Sequence, residues 1–247
     1  MTTPHLSSSH LPRPVLTLYE LAGADAALRF SPHCWKSRMA LAHKGLEVER
    51  LPWRFTDKAE IAFSGQGMVP VLRDGDDSIA DSWRIALYLE QRYPDRPSLF
   101  GGDQGQALTR FINAWADTAM APLLAPVLVL EILSRLDAKD RDYFRTTREA
   151  RYGRRLEEVC ADREARVADF RKALTPLRTL LKEQPFLAGA TPAYADYCVF
   201  GMFMWARCIS DVQLLEADDT VYAWRERLLD AFDGLARGAP AVGAIAA

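Results

Sequence analysis

Ser31 and Cys34 stand three residues apart at the head of the segment SPHCWKSRMALAHKG, residues 31–45, a spacing that places both on the first turn of one helix. Ser31 is a good N-cap, Pro32 suits the first helical position, and Gly45 supplies a left-handed stop. The first turn of such a helix presents amides without partners inside the helix, so its N-terminal end favours an anion, a thiolate included. Chemistry is expected there. Read locally, Ser31 is also a plain cap worth about 1 kcal/mol. Cys34 is either a structural thiol or a redox exchanger, and serine at position 31 excludes a dithiol, which favours the structural role. His33, between them, is a candidate for handling a proton.

The elements that must position this turn follow from pattern. Trp35, Met39, Ala42 and Leu46 predict an inward stripe, with Lys36, Arg38 and Lys44 left in water. Residues 15–21 and 47–55 read as strands, the second placed at an edge or cut short by Pro52. A short helix and loop over 56–68 lead to a third strand at 69–72, an acidic turn at 74–77 and a fourth strand at 78–80. Asp81-Ser82 opens another helix. Residues 93–105 concentrate proline and glycine and read as a linker. After it the patterns are helical: 106–136, 139–160 continuing toward 184, 194–210 and 220–237.

Composition narrows the function. At 247 residues the chain has room for one large domain or two ordinary ones. With 31 basic against 33 acidic residues and a formal net charge of -2, nothing predicts a global pull toward nucleic acid or anionic membrane. Cys34, Cys160, Cys198 and Cys208 form neither a CxxC pair nor a dense framework, a pattern that suits a reducing cytoplasm. Four histidines without ligand spacing predict no metal. Residues 1–14 read as a loose polar arm rather than a signal peptide, and the apolar stretch 118–130, holding Pro122 and Pro126, is too short to span a bilayer. A soluble protein is expected.

Three motifs, S-P-x-x-W-K-x-R-x-A-L-x-x-K-G from Ser31, Val69-Pro70, and Asp81-Ser82 at a helix start, together with the weaker Ala195-Asp196 pair in PAYADY, resemble the glutathione transferase superfamily. Within it, the ALAHKG helix end, DSWRIALYLEQRYPDRPSLF and FMW at 203–205 look like the bacterial glutathione-dependent β-etherases and the fungal etherase-like class. The resemblance implies an arm over 1–14, an α/β thioredoxin-like glutathione-binding domain over 15–93, a linker over 94–105 and an all-α bundle over 106–247. It implies glutathione as co-substrate, a homodimer, and no metal, nucleic acid or membrane.

The resemblance also implies site roles. Ser31 would donate a hydrogen bond to the glutathione sulfur. A free thiol has a pKa of about 8.5, so a fall of one to two units makes thiolate the major form near pH 7. Pro70 would be cis, leaving the Val69 backbone to pair with the cysteine of the peptide. Asp81 and Ser82 would hold the γ-glutamyl end, with capping as the compatible local reading. His43 or Lys44 would meet the glycine carboxylate, although both read more simply as solvated complements of a helix C-terminus. Met68 stands where the family has a polar residue before Val-Pro, and Ala193 where it has a Ser, Thr or Asn cap. An acceptor pocket between the domains would draw on Trp53, Trp115, Tyr143, Tyr152, Met202 and Trp205, each of which alone reads as core. Two functions are in play: a transferase acting on aromatic electrophiles, β-aryl ethers among them, and a ligandin-like protein that holds aromatic ligands with little turnover.

Overall fold

The computed structural model describes residues 16–242; the arm expected over 1–14 lies outside the described residues. Strands β1 (Leu16–Leu21), β2 (Val48–Trp53), β3 (Val71–Asp74) and β4 (Asp77–Ala80) form one mixed sheet in the order β2-β1-β3-β4. β1 is parallel to β2 and antiparallel to β3, and β3 is antiparallel to β4. The parallel pair is joined through helix α1 (Pro32–His43), the crossover such a pair needs. β2 lies at the sheet edge, the position that the missing N–H of Pro52 permits. β3 starts at Val71, two residues later than the pattern suggests, because Pro70 has no N–H to give a ladder.

The helical part comprises α2 (Ser82–Arg92), α3 (Asp103–Trp115), α4 (Ala121–Arg135), α5 (Ala138–Tyr152), α6 (Leu156–Val159), α7 (Arg163–Ala173), α8 (Thr175–Leu181), α9 (Tyr194–Ile209) and α10 (Thr220–Gly234). α3 begins inside the expected linker, after Gly102 at φ 107°. A π-turn at Ala116–Met120 joins α3 to α4. The resulting run of 33 residues is long and apolar enough to cross a membrane by length and composition, unlike the short stretch expected. Its Met120, Leu124 and Leu128 are fully buried in the core, which accounts for the apolar character by packing. The helix expected from 139 toward 184 is broken at Gly153 (φ 65°) and Asp162 (φ 58°), and α10 loses helical geometry at Ala231.

The largest departure from expectation is α1, which is buried on nearly every side instead of along one stripe. Lys36, Arg38 and Lys44, expected in water, are 0%, 6% and 1% exposed. Each cation has an internal partner, the condition under which a long charged side chain tolerates burial. Arg38 donates to both oxygens of Glu20, at 2.9 and 2.7 Å, and lies 4.1 Å above the Trp35 ring. Lys44 meets Glu90 at 2.6 Å. Lys36 reaches Asn113 at 2.9 Å and Asp117 at 2.7 Å, tying α1 to the helical half.

α1 packs most closely on α9. A Cβ placed on Gly201 would stand 2.5 Å from the Pro32 carbonyl oxygen, which belongs to the backbone of the α1 first turn. Gly201→Ala is therefore expected to lower stability by about 2 kcal/mol through overpacking and to disturb Ser31. Thermal unfolding and turnover, measured on one variant, check the two effects.

Candidate active site

Ser31 caps α1 in extended geometry (φ -61°, ψ 127°), and its Oγ accepts the Cys34 amide at 3.4 Å. The cap occupies a lone pair of Oγ, and the hydroxyl also lies within hydrogen-bonding reach of the Cys34 thiol. Cys34 lies inside, 1% exposed, and burial pushes its thiol up to about 12, with Glu20 adding to the rise. It is protonated at neutral pH, and a thiol reagent is expected to leave it unlabelled in the folded protein.

Ser31, Pro32 and His33 form one wall of a cavity of about 450 Å³. Asp117, at the π-turn, joins them with its carboxylate held by Lys36 and with His33 Nδ1 at 3.8 Å. Burial in the cleft, then the Lys36 ammonium, lowers the His33 pKa against Asp117 and Asp81, so the imidazole is neutral at pH 7. The remaining walls are mostly apolar, from Phe55, Phe144, α4 and Trp205. Arg148, Arg151 and Tyr152 complete them from the end of α5.

Of the six residues expected in the acceptor pocket, Tyr152 and Trp205 line this cavity and four do not. Trp53 is 2% exposed and donates its indole N–H to the Asp57 carbonyl at 2.7 Å. Met202, one turn before Trp205, is fully buried in the core. Tyr143 stands behind the Phe55 ring, 6.3 Å between centroids, and Trp115 packs half-buried against the core. Helical spacing identifies such residues as inward without saying which inward face opens on a void.

The Val69–Pro70 peptide is cis, and Val69 lies outside the β3 ladder. The Pro70 carbonyl accepts the Asp81 amide at 3.3 Å, joining this bend to the start of α2. Asp81 takes φ 79° and caps α2 through Oδ1, accepting Trp83 N at 3.0 Å and Arg84 N at 3.1 Å. Ser82 is buried, with its carbonyl bonded to the Tyr194 hydroxyl at 2.7 Å.

His43 and Lys44, expected to meet a glycine carboxylate, both have partners within the fold. Lys44 is consumed by Glu90 and the Tyr93 carbonyl. Burial would raise the Glu90 pKa, but the Leu99 amide, Lys44 and Ser98 together hold it below its usual value. His43 Nε2 donates to the Ser98 carbonyl at 3.0 Å, which leaves Nδ1 to accept the Tyr197 hydroxyl at 2.7 Å. Burial lowers the His43 pKa, so over the window below about 6.5 the unfolded chain binds more protons than the fold. Stability is then expected to fall as pH falls through that window. His43→Gln should flatten this part of the curve, measured as unfolding midpoint against pH.

A thioredoxin-like sheet whose first helix presents a capping serine to a cleft lined by a helical bundle defines the class of glutathione-fold proteins. Residues 107–233 match the glutathione S-transferase C-terminal domain family and residues 27–97 its N-terminal domain family, and the chain belongs to the glutathione S-transferase family. A zeta-class glutathione S-transferase of Euphorbia esula is 31% identical over 133 residues, 51% of this chain and 54% of that protein. The chain spans about half the length of the curated relatives it matches. Among solved structures, a Ceriporiopsis subvermispora glutathione S-transferase in complex with glutathione has a TM-score of 0.76 at 23% identity, covering 89% of this chain and 97% of that one. The beta-etherase LigF of Sphingobium sp. strain SYK-6 has a TM-score of 0.64 at 19% identity, covering 88% and 96%. Both share the fold.

Sequence patterns missed Asp117, Lys36, Phe55, Arg148 and Arg151. For α5 a signal existed: Phe144, Arg148, Arg151 and Tyr152 follow at four, three and one residues and so share one helical face. For the Lys36–Asp117 pair, 81 residues apart, no local pattern exists.

Proposed function

We propose that this protein binds glutathione along Val69 and the Asp81-Ser82 helix start, holds the sulfur at Ser31, and delivers it as thiolate to an aromatic electrophile in the adjoining cavity. The observation that carries the reading is the double placement of Ser31: it caps α1, and it stands on the wall of a mostly apolar cavity. Donation of the Ser31 hydroxyl proton to that sulfur, with the His33 amide in the first turn of α1, favours thiolate over thiol. Asp81 offers its remaining oxygen to the γ-glutamyl ammonium, and the Ser82 amide and hydroxyl meet the carboxylate, the Trp83 and Arg84 amides being taken by Asp81.

For a β-aryl ether, the thiolate attacks the ether-bearing carbon, the C–S bond forms as the C–O bond breaks, and the electron pair leaves on a phenolate. Its parent phenol has a pKa of about 10, so the leaving group is far better than an alkoxide. The resemblance in sequence wording to etherases and the shared fold with LigF support this substrate class; the glutathione complex of the Ceriporiopsis relative supports the co-substrate. A cytoplasmic homodimer is part of the same reading. Leu108 and Phe111, three residues apart on α3, are 71% and 70% exposed and suit such a contact.

A β-aryl ether carrying a fluorogenic phenol, assayed with and without glutathione, tests the reaction. Phenol release that depends on glutathione is expected. Ligand binding without glutathione consumption, across ethers and aryl halides, would favour the ligandin-like alternative.

A further inference from the structure

The cavity beside Ser31 contains two guanidinium groups that the thiolate chemistry does not use. Arg148 and Arg151 line it from the last turns of α5. Arg148 lies 4.6 Å from the Phe144 centroid and 5.1 Å from that of Phe55, and donates to the Thr147 hydroxyl at 2.8 Å. Stacking and a helix C-terminus explain how two cations are held there, but they supply no counter-charge. The nearby carboxylates are engaged elsewhere: Glu149 and Glu157 face Arg145 at 2.9 and 3.0 Å, and Asp117, the acid of the cavity wall, faces Lys36 at 2.7 Å. Burial and then repulsion from Arg151 lower the Arg148 pKa, and among the described residues no carboxylate pairs with it.

We propose that the acceptor site selects aromatic electrophiles bearing an anionic group, a carboxylate in the simplest case, with Arg148 and Arg151 as its counter-charges and the ring seated against Phe55, Phe144 and Tyr152. The proposal rests on the transferase reading above. A carboxylate between two guanidiniums exchanges water for charge-assisted hydrogen bonds in a partly dehydrated cleft, whereas a neutral aromatic gains the apolar contacts alone.

The test compares 4-chloro-3-nitrobenzoate with its neutral relative 4-chloro-3-nitrobenzamide. In each, the glutathione thiolate adds at the chlorine-bearing carbon, the C–S bond forms, and chloride leaves with the C–Cl electron pair. The wild type is expected to favour the acid by about tenfold or more in kcat/KM, through KM, the size of a hydrogen bond to a charged group. The ratio should approach unity in Arg148→Gln/Arg151→Gln and shrink with added salt. The exposed Arg151→Gln alone supplies the comparison if the double variant does not fold. No preference in the wild type, or an unchanged ratio in the variants, overturns the proposal. If neither compound consumes glutathione, the transferase reading is judged by the β-aryl ether assay and the charge preference by binding. Calorimetry with unreactive 3-nitrobenzoate and 3-nitrobenzamide then decides the charge preference: tighter binding of the acid supports it and equal binding overturns it.

Discussion

Ser31→Ala is expected to lower kcat/KM for glutathione transfer by about 10²-fold, the loss seen when one preorganised donor to a reacting anion is removed. Two effects are lost together. The cap on the Cys34 amide disappears, at about 1 kcal/mol of stability, and so does the hydroxyl proposed to donate to the sulfur. The first is a change in folding and leaves folded molecules active; the second acts on every turnover. Ser31→Thr separates them, since it keeps both hydroxyl and cap, and it should retain most of the rate. Initial rates at varied glutathione, alongside thermal unfolding, distinguish the outcomes.

The largest expected effect on stability belongs to Asp196, which is fully buried at the start of α9. One carboxylate oxygen accepts the Leu187 amide and the Trp224 indole, each at 2.8 Å; the other accepts Ala193 N at 3.1 Å and Ala188 N at 3.3 Å. Burial raises the Asp196 pKa against the pull of these four donors. Ala193 has no side-chain oxygen, so only the return half of a capping box is present, and Asp196 hydrogen-bonds the 187–193 loop and α10 from the start of α9. Asp196→Ala strands the buried Trp224 indole and three part-buried amides and is expected to cost about 3–5 kcal/mol. For a chain of this size that is a fall of about 10 °C in Tm, read by thermal or urea unfolding.

Much of this architecture is legible in the sequence. The order of strands and helices through Arg92 follows from alternation, proline and turn residues, and Ser31, Val69-Pro70 and Asp81-Ser82 stand out by motif. What periodicity does not give is pairing across distance. Lys36, Arg38 and Lys44 carry the residue types of a wet helix face, and their burial depends on Asp117, Glu20 and Glu90 arriving from other elements. Gly201 looks like any glycine inside a helical pattern until the Pro32 carbonyl is seen against it. The cavity beside Ser31 was one-third legible for a similar reason: of the six residues expected there Tyr152 and Trp205 line it, while Met202 and Trp53 are buried in the core.

The central claim is that the first turn of α1, through the hydroxyl of Ser31, holds glutathione as a thiolate. The ultraviolet absorbance of the thiolate, followed in bound glutathione against pH, tests it most directly. The account predicts an apparent pKa one to two units below the free thiol value of about 8.5 in the wild type, returning toward that value in Ser31→Ala. The same depressed pKa in both proteins would contradict it.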